Sequence, residues 1–211
     1  MSASGRQMAA LLGPTLRAVR WAVPATAGAL TVLLLTWKHA QLESPESALT
    51  VVRGAALLLT LGALPLLDDP AARQVAALPV SLAVRCAIRL TGFVVLVFLP
   101  VTALAAWSSL PVGPVLLETS AVVALACAAS ILITRSTDHS EPSSIVSVAL
   151  LPLPLVLGML PAAAALVVPQ GAQWTPAHQR WGVLLAVGLA ALVLALRDPA
   201  AKVIVPRGSQ R

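Results

Sequence analysis

Six long apolar stretches alternate with short polar segments along this chain. A helix needs about 20 predominantly apolar residues to cross the hydrocarbon core of a bilayer, and each stretch comes close to that length. Trp residues at several ends of these stretches are typical of the membrane interface. The pattern predicts six transmembrane helices, at residues 21–37, 48–67, 90–107, 114–134, 145–168 and 181–196.

The overall composition agrees with this pattern. Hydrophobic residues make up 58% of the sequence, charged residues only 10%, and the mean hydropathy is +0.91. A soluble domain usually carries about 25% charged residues, so this chain cannot cover a water-exposed surface. We therefore predict an all-α, polytopic membrane protein whose single transmembrane domain spans residues 21–196.

The basic residues predict the orientation of the helices. Eleven Lys or Arg residues fall on one side of the predicted membrane and three on the other. Because cytoplasmic loops carry an excess of Lys and Arg, both termini are expected in the cytoplasm. The eleven are Arg6, Arg17, Arg20, Arg73, Arg85, Arg89, Arg135, Arg197, Lys202, Arg207 and Arg211, and the three are Lys38, Arg53 and Arg180.

The two terminal segments are both basic. Apolar residues near helical spacing within residues 1–20 predict a helix lying along the inner membrane surface, with an unstructured basic tail as the alternative. Residues 197–211 form a basic cytoplasmic tail. The net charge of +6 is spread over such short segments, and nucleic-acid binding would need a basic face on a folded domain, so no nucleic-acid partner is expected.

The cytoplasmic loop 68–89 has a strong helix-start signal. Asp68 and Asp69 are good N-cap residues, and Pro70 is favoured in the first helical turn. A short helix is therefore expected at the inner surface between the second and third spans. It is either a docking element for a cytoplasmic partner or a connector anchored to lipid. The candidate docking residues are Asp68, Asp69, Pro70, Arg73, Gln74 and Leu78.

Two charged residues lie inside predicted spans, where charge is costly and suggests function. At 1.5 Å per residue, Arg53 is about 8 Å and Glu118 about 6 Å inside the outer ends of their helices. Their similar depth permits an ion pair that joins two helices or lines an exit path. Alternatively, both side chains extend to the outer headgroups.

The fifth span contains Pro152, Pro154 and Pro161, each of which removes a backbone donor. Breaks of this kind occur in the moving helices of transporters. A kinked helix that is statically packed is the alternative.

Signatures of catalysis are missing from the sequence. It contains no phosphate-binding loop of the Gly-x-x-x-x-Gly-Lys-Ser/Thr type, no His-Glu-x-x-His and no Gly-x-Ser-x-Gly. His39, His139 and His178 fall in three different predicted loops, so no metal site is expected. We expect no catalytic residues and no cofactor in this chain.

The layout resembles the membrane subunits of type-2 ABC exporters, and residues 67–79, Leu-Asp-Asp-Pro-Ala-Ala-Arg-Gln-Val-Ala-Ala-Leu-Pro, are similar to a loop of many actinobacterial permeases. The resemblance implies that this loop is a coupling helix docking on a separate ATP-binding subunit, which holds ATP and Mg. It also implies a second membrane subunit, identical or related, and export of a hydrophobic or amphipathic peptide, lipid or antibiotic across a bacterial cell membrane. The polar segment 169–180 departs from the family, whose members commonly have re-entrant helices there.

Three other functions remain open on the sequence alone. The first is a membrane scaffold that transports nothing, since Asp198-Pro199-Ala200-Ala201-Lys202 repeats the pattern of Asp69 to Arg73 and both could simply cap helices at the membrane exit. The second is a secondary carrier, which the lack of carboxylates near mid-membrane disfavours. An intramembrane enzyme is the least expected, because the span interiors offer almost no polar groups.

Overall fold

A computed structural model describes residues 21–38, 44–68, 82–136, 142–161 and 164–197, and every regular element in these ranges is helical. The predicted all-α class is therefore correct for the described part of the chain. The predicted surface helix within residues 1–20, most of the loop 68–89 and the tail after Arg197 lie outside these ranges. Seven α-helices are described: α1 (Ala22–Lys38), α2 (Pro45–Ala63), α3 (Leu82–Trp107), α4 (Val112–Ser136), α5 (Pro142–Leu150), α6 (Leu153–Gly158) and α7 (Trp174–Leu196).

Four described stretches are long and apolar enough to cross a membrane. They correspond to the second, third, fourth and sixth predicted spans, and they are Pro45–Leu66, Arg89–Trp107, Val112–Ser136 and Trp174–Leu196. The stretches at the first and fifth predicted spans, Ala22–Trp37 and Pro142–Gly158, are shorter apolar helices. The chain is thus a protein with membrane-spanning helices.

Helix α2 begins three residues before the predicted span because its N-terminus is well capped. The Ser44 hydroxyl accepts a hydrogen bond from the backbone N–H of Ser47 at 3.2 Å. Pro45 occupies the first turn, where a missing N–H costs nothing, and the carboxylate of Glu46 lies near the positive end of the helix dipole. The helix ends in a 3₁₀ turn, Leu64–Leu66.

Helix α7 begins at Trp174, well before the predicted start at Trp181. The sequence pattern predicts a loop for the polar residues from Thr175 to Arg180, and that prediction is wrong. Pro176 sits in the first turn of the helix, where a backbone N–H would have no partner within the helix. His178 and Arg180 are therefore helical residues.

The predicted fifth span, 145–168, has a different shape in the structure. Helix α5 starts at Pro142 and ends at Leu150, α6 follows as a separate short helix, and the described residues from Met159 to Gln173 form no further helix. The break falls where Pro152 and Pro154 remove two backbone donors. The prolines thus interrupt the helix as expected and also shorten it.

Helices α2, α3 and α4 share one buried core, which includes Leu49, Val52, Phe93, Val97 and Cys127. Helix α4 also packs closely along α7. At Gly188 of α7 a Cβ atom would lie 3.0 Å from Ala124 Cβ and 3.1 Å from the backbone nitrogen of Leu125. The absence of a side chain at Gly188 is what lets the two helices approach.

Replacing Gly188 with Leu is therefore expected to separate α4 from α7 and to destabilise the protein by about 1–3 kcal/mol, the usual cost of overpacking. The measurement is the thermal unfolding midpoint in detergent, followed by circular dichroism. Gly182→Leu is the matched control, because a Cβ at Gly182 of the same helix would meet nothing within 4 Å. Equal midpoints for the two variants would contradict close packing at Gly188.

Candidate functional site

The N-terminal halves of α2, α4 and α7 meet at a buried cluster of polar side chains. Arg53 of α2 donates to Glu118 of α4 through two parallel hydrogen bonds, Nε to Oε2 at 2.7 Å and Nη2 to Oε1 at 2.5 Å. The side chains are only 17% and 8% exposed. The structure thus brings together the two charged residues that the sequence placed at similar depth, and it does so in the bidentate geometry that arginine favours.

Arg53 has two further contacts. Its Nη1 donates to the backbone oxygen of Val168 at 3.2 Å, and its guanidinium carbon lies 5.9 Å from the ring centroid of Trp174, within cation–π range. An arginine side chain carries five N–H groups, and these bonds use three of them. Two N–H groups of Arg53 remain for another acceptor.

His178 completes the cluster. Its Nδ1 lies 2.8 Å from the backbone oxygen of Trp174, and because a carbonyl oxygen only accepts, Nδ1 carries a hydrogen. Its Nε2 lies 3.1 Å from Glu118 Oε1, but the two atoms are not aligned as a hydrogen bond, and Nε2 is buried without such a partner in the described part of the chain. We call Arg53, Glu118, His178 and Trp174 the Arg53 cluster.

His178 is not among the candidate residues predicted from the sequence, because the sequence pattern places it in a loop. A usable signal was present. Trp174, His178 and Trp181 follow one another at intervals of four and three residues, the spacing of one face of a helix. In the structure the rings of Trp174 and His178 lie 4.2 Å apart between centroids.

The segment before α7 is held by side chains instead of helical hydrogen bonds. Arg180 Nη1 donates to the backbone oxygen of Ala165 at 2.6 Å, and Trp181 Nε1 to that of Leu166 at 2.9 Å. With the bond from Arg53 to Val168, three backbone carbonyl groups of this segment have a hydrogen-bond donor. Irregular backbone among membrane helices requires such partners.

A cavity of about 270 Å³ lies beside the Arg53 cluster, between α2, α4, α6 and α7. Most of the side chains around it are apolar, and the polar ones are Arg53, Glu118, Trp181 and three threonines. Its lining residues are Thr50, Arg53, Gly54, Ala56, Leu57, Thr60, Val115, Glu118, Thr119, Val122, Leu153, Pro154, Leu157, Val167 and Trp181.

The cavity is elongated along α2. Its lining on that helix extends from Thr50 to Thr60, which corresponds to about 15 Å at 1.5 Å per residue. Arg53 and Glu118 lie toward one end of this length, and Leu57, Thr60 and Val122 lie further along it. The cavity therefore has a polar end and an apolar end.

Of the predicted docking residues the structure describes Asp68, which follows the 3₁₀ turn at the end of α2 opposite the Arg53 cluster. The Asp68 carboxylate accepts hydrogen bonds from the backbone N–H of Ser143 at 3.0 Å and from the Ser143 hydroxyl at 2.5 Å, so it caps α5. Arg89 donates to the backbone oxygen of Asp68. Asp69, Pro70, Arg73, Gln74 and Leu78 lie outside the described residues.

The described residues contain no group of three or more His, Cys, Asp or Glu side chains that could hold a metal ion. Glu118 and His178 are the two such groups in the Arg53 cluster, and Arg53 occupies both oxygens of the glutamate. The cluster has the chemistry of a neutralised ion pair that retains spare hydrogen-bond donors.

Comparison with known proteins yields no relative for this site. No protein-family model matches the chain, and neither a curated protein nor a solved structure matches it.

Glu118→Ala is expected to lower the free energy of unfolding by about 3 kcal/mol, because it leaves the Arg53 charge buried without its partner. The double variant Arg53→Met, Glu118→Leu removes both charges and should recover most of this loss. Thermal unfolding midpoints in detergent measure both effects.

Glu46→Ala serves as the matched control, since Glu46 is an exposed glutamate in the first turn of the same α2. The importance of the ion pair would be refuted by equal midpoints for Glu118→Ala and Glu46→Ala, or by a double variant less stable than Glu118→Ala.

Proposed function

We propose that this chain is the membrane-spanning permease subunit of an exporter of the type-2 ABC kind, moving a hydrophobic or amphipathic substrate out of a bacterial cell. The observation that carries the proposal is the cavity of about 270 Å³ among helices that are apolar enough to cross a membrane. A cavity between such helices, lined by Leu57, Val122 and Leu157, suits a substrate that enters from lipid.

In this proposal the chain spans the membrane six times, with both termini in the cytoplasm. The apolar stretches Ala22–Trp37 and Pro142–Gly158 are then the first and fifth spans, added to the four longer helices. The charge count of eleven basic residues against three supports the orientation. The Arg53 cluster then lies toward the outer side and Asp68 at the inner side.

A separate cytoplasmic subunit hydrolyses ATP in this mechanism. It docks on residues 68–78, and ATP and Mg belong to that partner. The resemblance of the loop Asp69 to Leu78 to the coupling helix of actinobacterial permeases supports this role. A second membrane subunit, identical or related, completes the transport path.

The contacts of Asp68 provide a physical link from the docking segment to the cavity. Asp68 caps α5 through Ser143, α5 leads through the break at Pro152 into α6, and Leu153, Pro154 and Leu157 of α6 line the cavity. Movement of the docking segment would therefore shift one wall of the cavity. Broken helices of this kind occur in the moving parts of transporters.

A pull-down from native membranes in gentle detergent tests this proposal. We expect a nucleotide-binding subunit to co-purify with the wild type and to be lost when Asp69 and Arg73 are both changed to Ala, because these residues begin the proposed docking helix. Mass spectrometry identifies the co-purified subunit. Asp68 is left unchanged, since its loss would also uncap α5.

The matched control is Asp198→Ala, Lys202→Ala, which removes an aspartate and a basic side chain at the corresponding positions of the second copy of the pattern. Retention of the ATP-binding subunit by the control and its loss from the docking variant would support the proposal. If the chain purifies alone at every salt and detergent condition, the exporter proposal fails and a membrane scaffold becomes the better explanation.

A further inference from the structure

The cavity beside the Arg53 cluster has almost no free hydrogen-bond donors. The hydroxyl groups of Thr50, Thr60 and Thr119 donate to backbone oxygens one helical turn earlier, at 3.0, 2.7 and 2.8 Å. The indole N–H of Trp181 is bonded to Leu166. Among the described lining residues, Arg53 is therefore the side chain that keeps N–H groups available.

The free donors of Arg53 define the polar part of a ligand. The two remaining N–H groups of Arg53 require an acceptor, such as a carbonyl oxygen. The charge of Arg53 is already balanced by Glu118 at 2.5 Å, so an anionic ligand would add a second negative charge beside that carboxylate and lose the advantage of binding a cation. The geometry favours a neutral acceptor over a carboxylate.

The rest of the cavity defines the apolar part of the ligand. The lining beyond Arg53 includes Leu57 and Thr60 of α2 and Val122 of α4. A water molecule needs two to four polar partners in a buried site, and the threonine donors here are already used. An empty cavity would forfeit dispersion contacts on every wall, so a hydrocarbon chain is the occupant that fits.

Access to the cavity is from the side. Thr50 of α2 and Pro154 of α6 line it and are themselves exposed. A molecule with its polar group at the Arg53 end and its chain lying along α2 would be aligned like a lipid of the adjoining leaflet. Such a molecule reaches the site without crossing water.

We propose that this cavity binds one amphipathic molecule with a hydrocarbon chain and an uncharged ester or amide group, whose carbonyl oxygen accepts hydrogen bonds from Arg53. The molecule is either a resident membrane lipid or the transported substrate. As a substrate site, the inference rests on the proposed function; as a lipid site, it stands without it.

The experiment uses the purified chain in phosphatidylcholine nanodiscs. Its probe is a monoacylglycerol that carries a photoreactive diazirine near the end of its chain. After irradiation, the labelled residues are mapped by mass spectrometry. Labelling is expected in peptides around Leu57, Val122 and Leu157. Val122→Trp fills the apolar end and should reduce that labelling about tenfold, and Leu57→Trp fills it from the opposite wall in case the first variant is unstable.

Val148→Trp is the matched control, because Val148 is 75% exposed and does not line the cavity; its labelling should equal that of the wild type. The proposed binding site is refuted if the probe labels exposed helix faces throughout the protein and the labelling is unchanged in Val122→Trp and Leu57→Trp.

Two further arms test the polar group. The fatty acid with the same chain and diazirine should label the cavity several-fold less than the ester. In the wild type the ester should label the cavity more strongly than an alkane probe with the same chain. In the double variant Arg53→Met, Glu118→Leu the two probes should label it equally. Stronger labelling by the fatty acid than by the ester would overturn the preference for an uncharged group.

Native mass spectrometry without added probe distinguishes the two possible occupants, a resident membrane lipid and the transported substrate. A lipid retained by the wild type and by Val148→Trp but lost from Val122→Trp identifies a resident lipid. No retained lipid, together with specific labelling by the ester, identifies the site as one for a substrate. The pull-down of the ATP-binding subunit is independent of both results, so failure of the cavity proposal and failure of the exporter proposal are distinguishable.

Discussion

A backbone carbonyl group within a membrane protein needs a hydrogen-bond donor, because lipid offers none. Four arginines supply such donors where helices end or break. Arg53 and Arg180 bond to Val168 and Ala165 of the non-helical segment before α7. Near the other helix ends, Arg89 bonds to Asp68, and Arg135 bonds to the oxygens of Ala195 and Arg197 at the end of α7. The irregular segments that the structure describes depend on these arginines, together with the indole N–H of Trp181.

Several of the membrane spans, the similar depth of Arg53 and Glu118, and the break at Pro152 could be predicted from the sequence. The second, third and fourth spans are long apolar stretches, with one charged residue each in the second and the fourth, and their length identifies them. The similar depth of Arg53 and Glu118 follows from counting residues along two helices. Pro152 likewise marks the break, because a missing backbone N–H is a local property. Each of these inferences needs only one helix at a time, or simple depth within the membrane.

The cavity and the place of His178 could not be predicted in the same way. A cavity arises from the distances between helices, which are set by close contacts such as the one between Gly188 and Ala124. His178 lies among polar residues in the first turns of α7, for which the sequence pattern predicts a loop, although the His178 ring lies against Glu118 of α4. The contact of Asp68 with Ser143 could not be predicted either, because it joins residues 75 positions apart in the sequence.

The length of helix α4 has a consequence for its position in the bilayer. With 25 residues it reaches about 38 Å at 1.5 Å per residue, whereas the hydrocarbon core is about 30 Å thick. A helix longer than the core is accommodated by tilting or by locally thicker lipid. Because α7 packs closely along α4, both helices share the same accommodation, and the bilayer meets the pair as one unit.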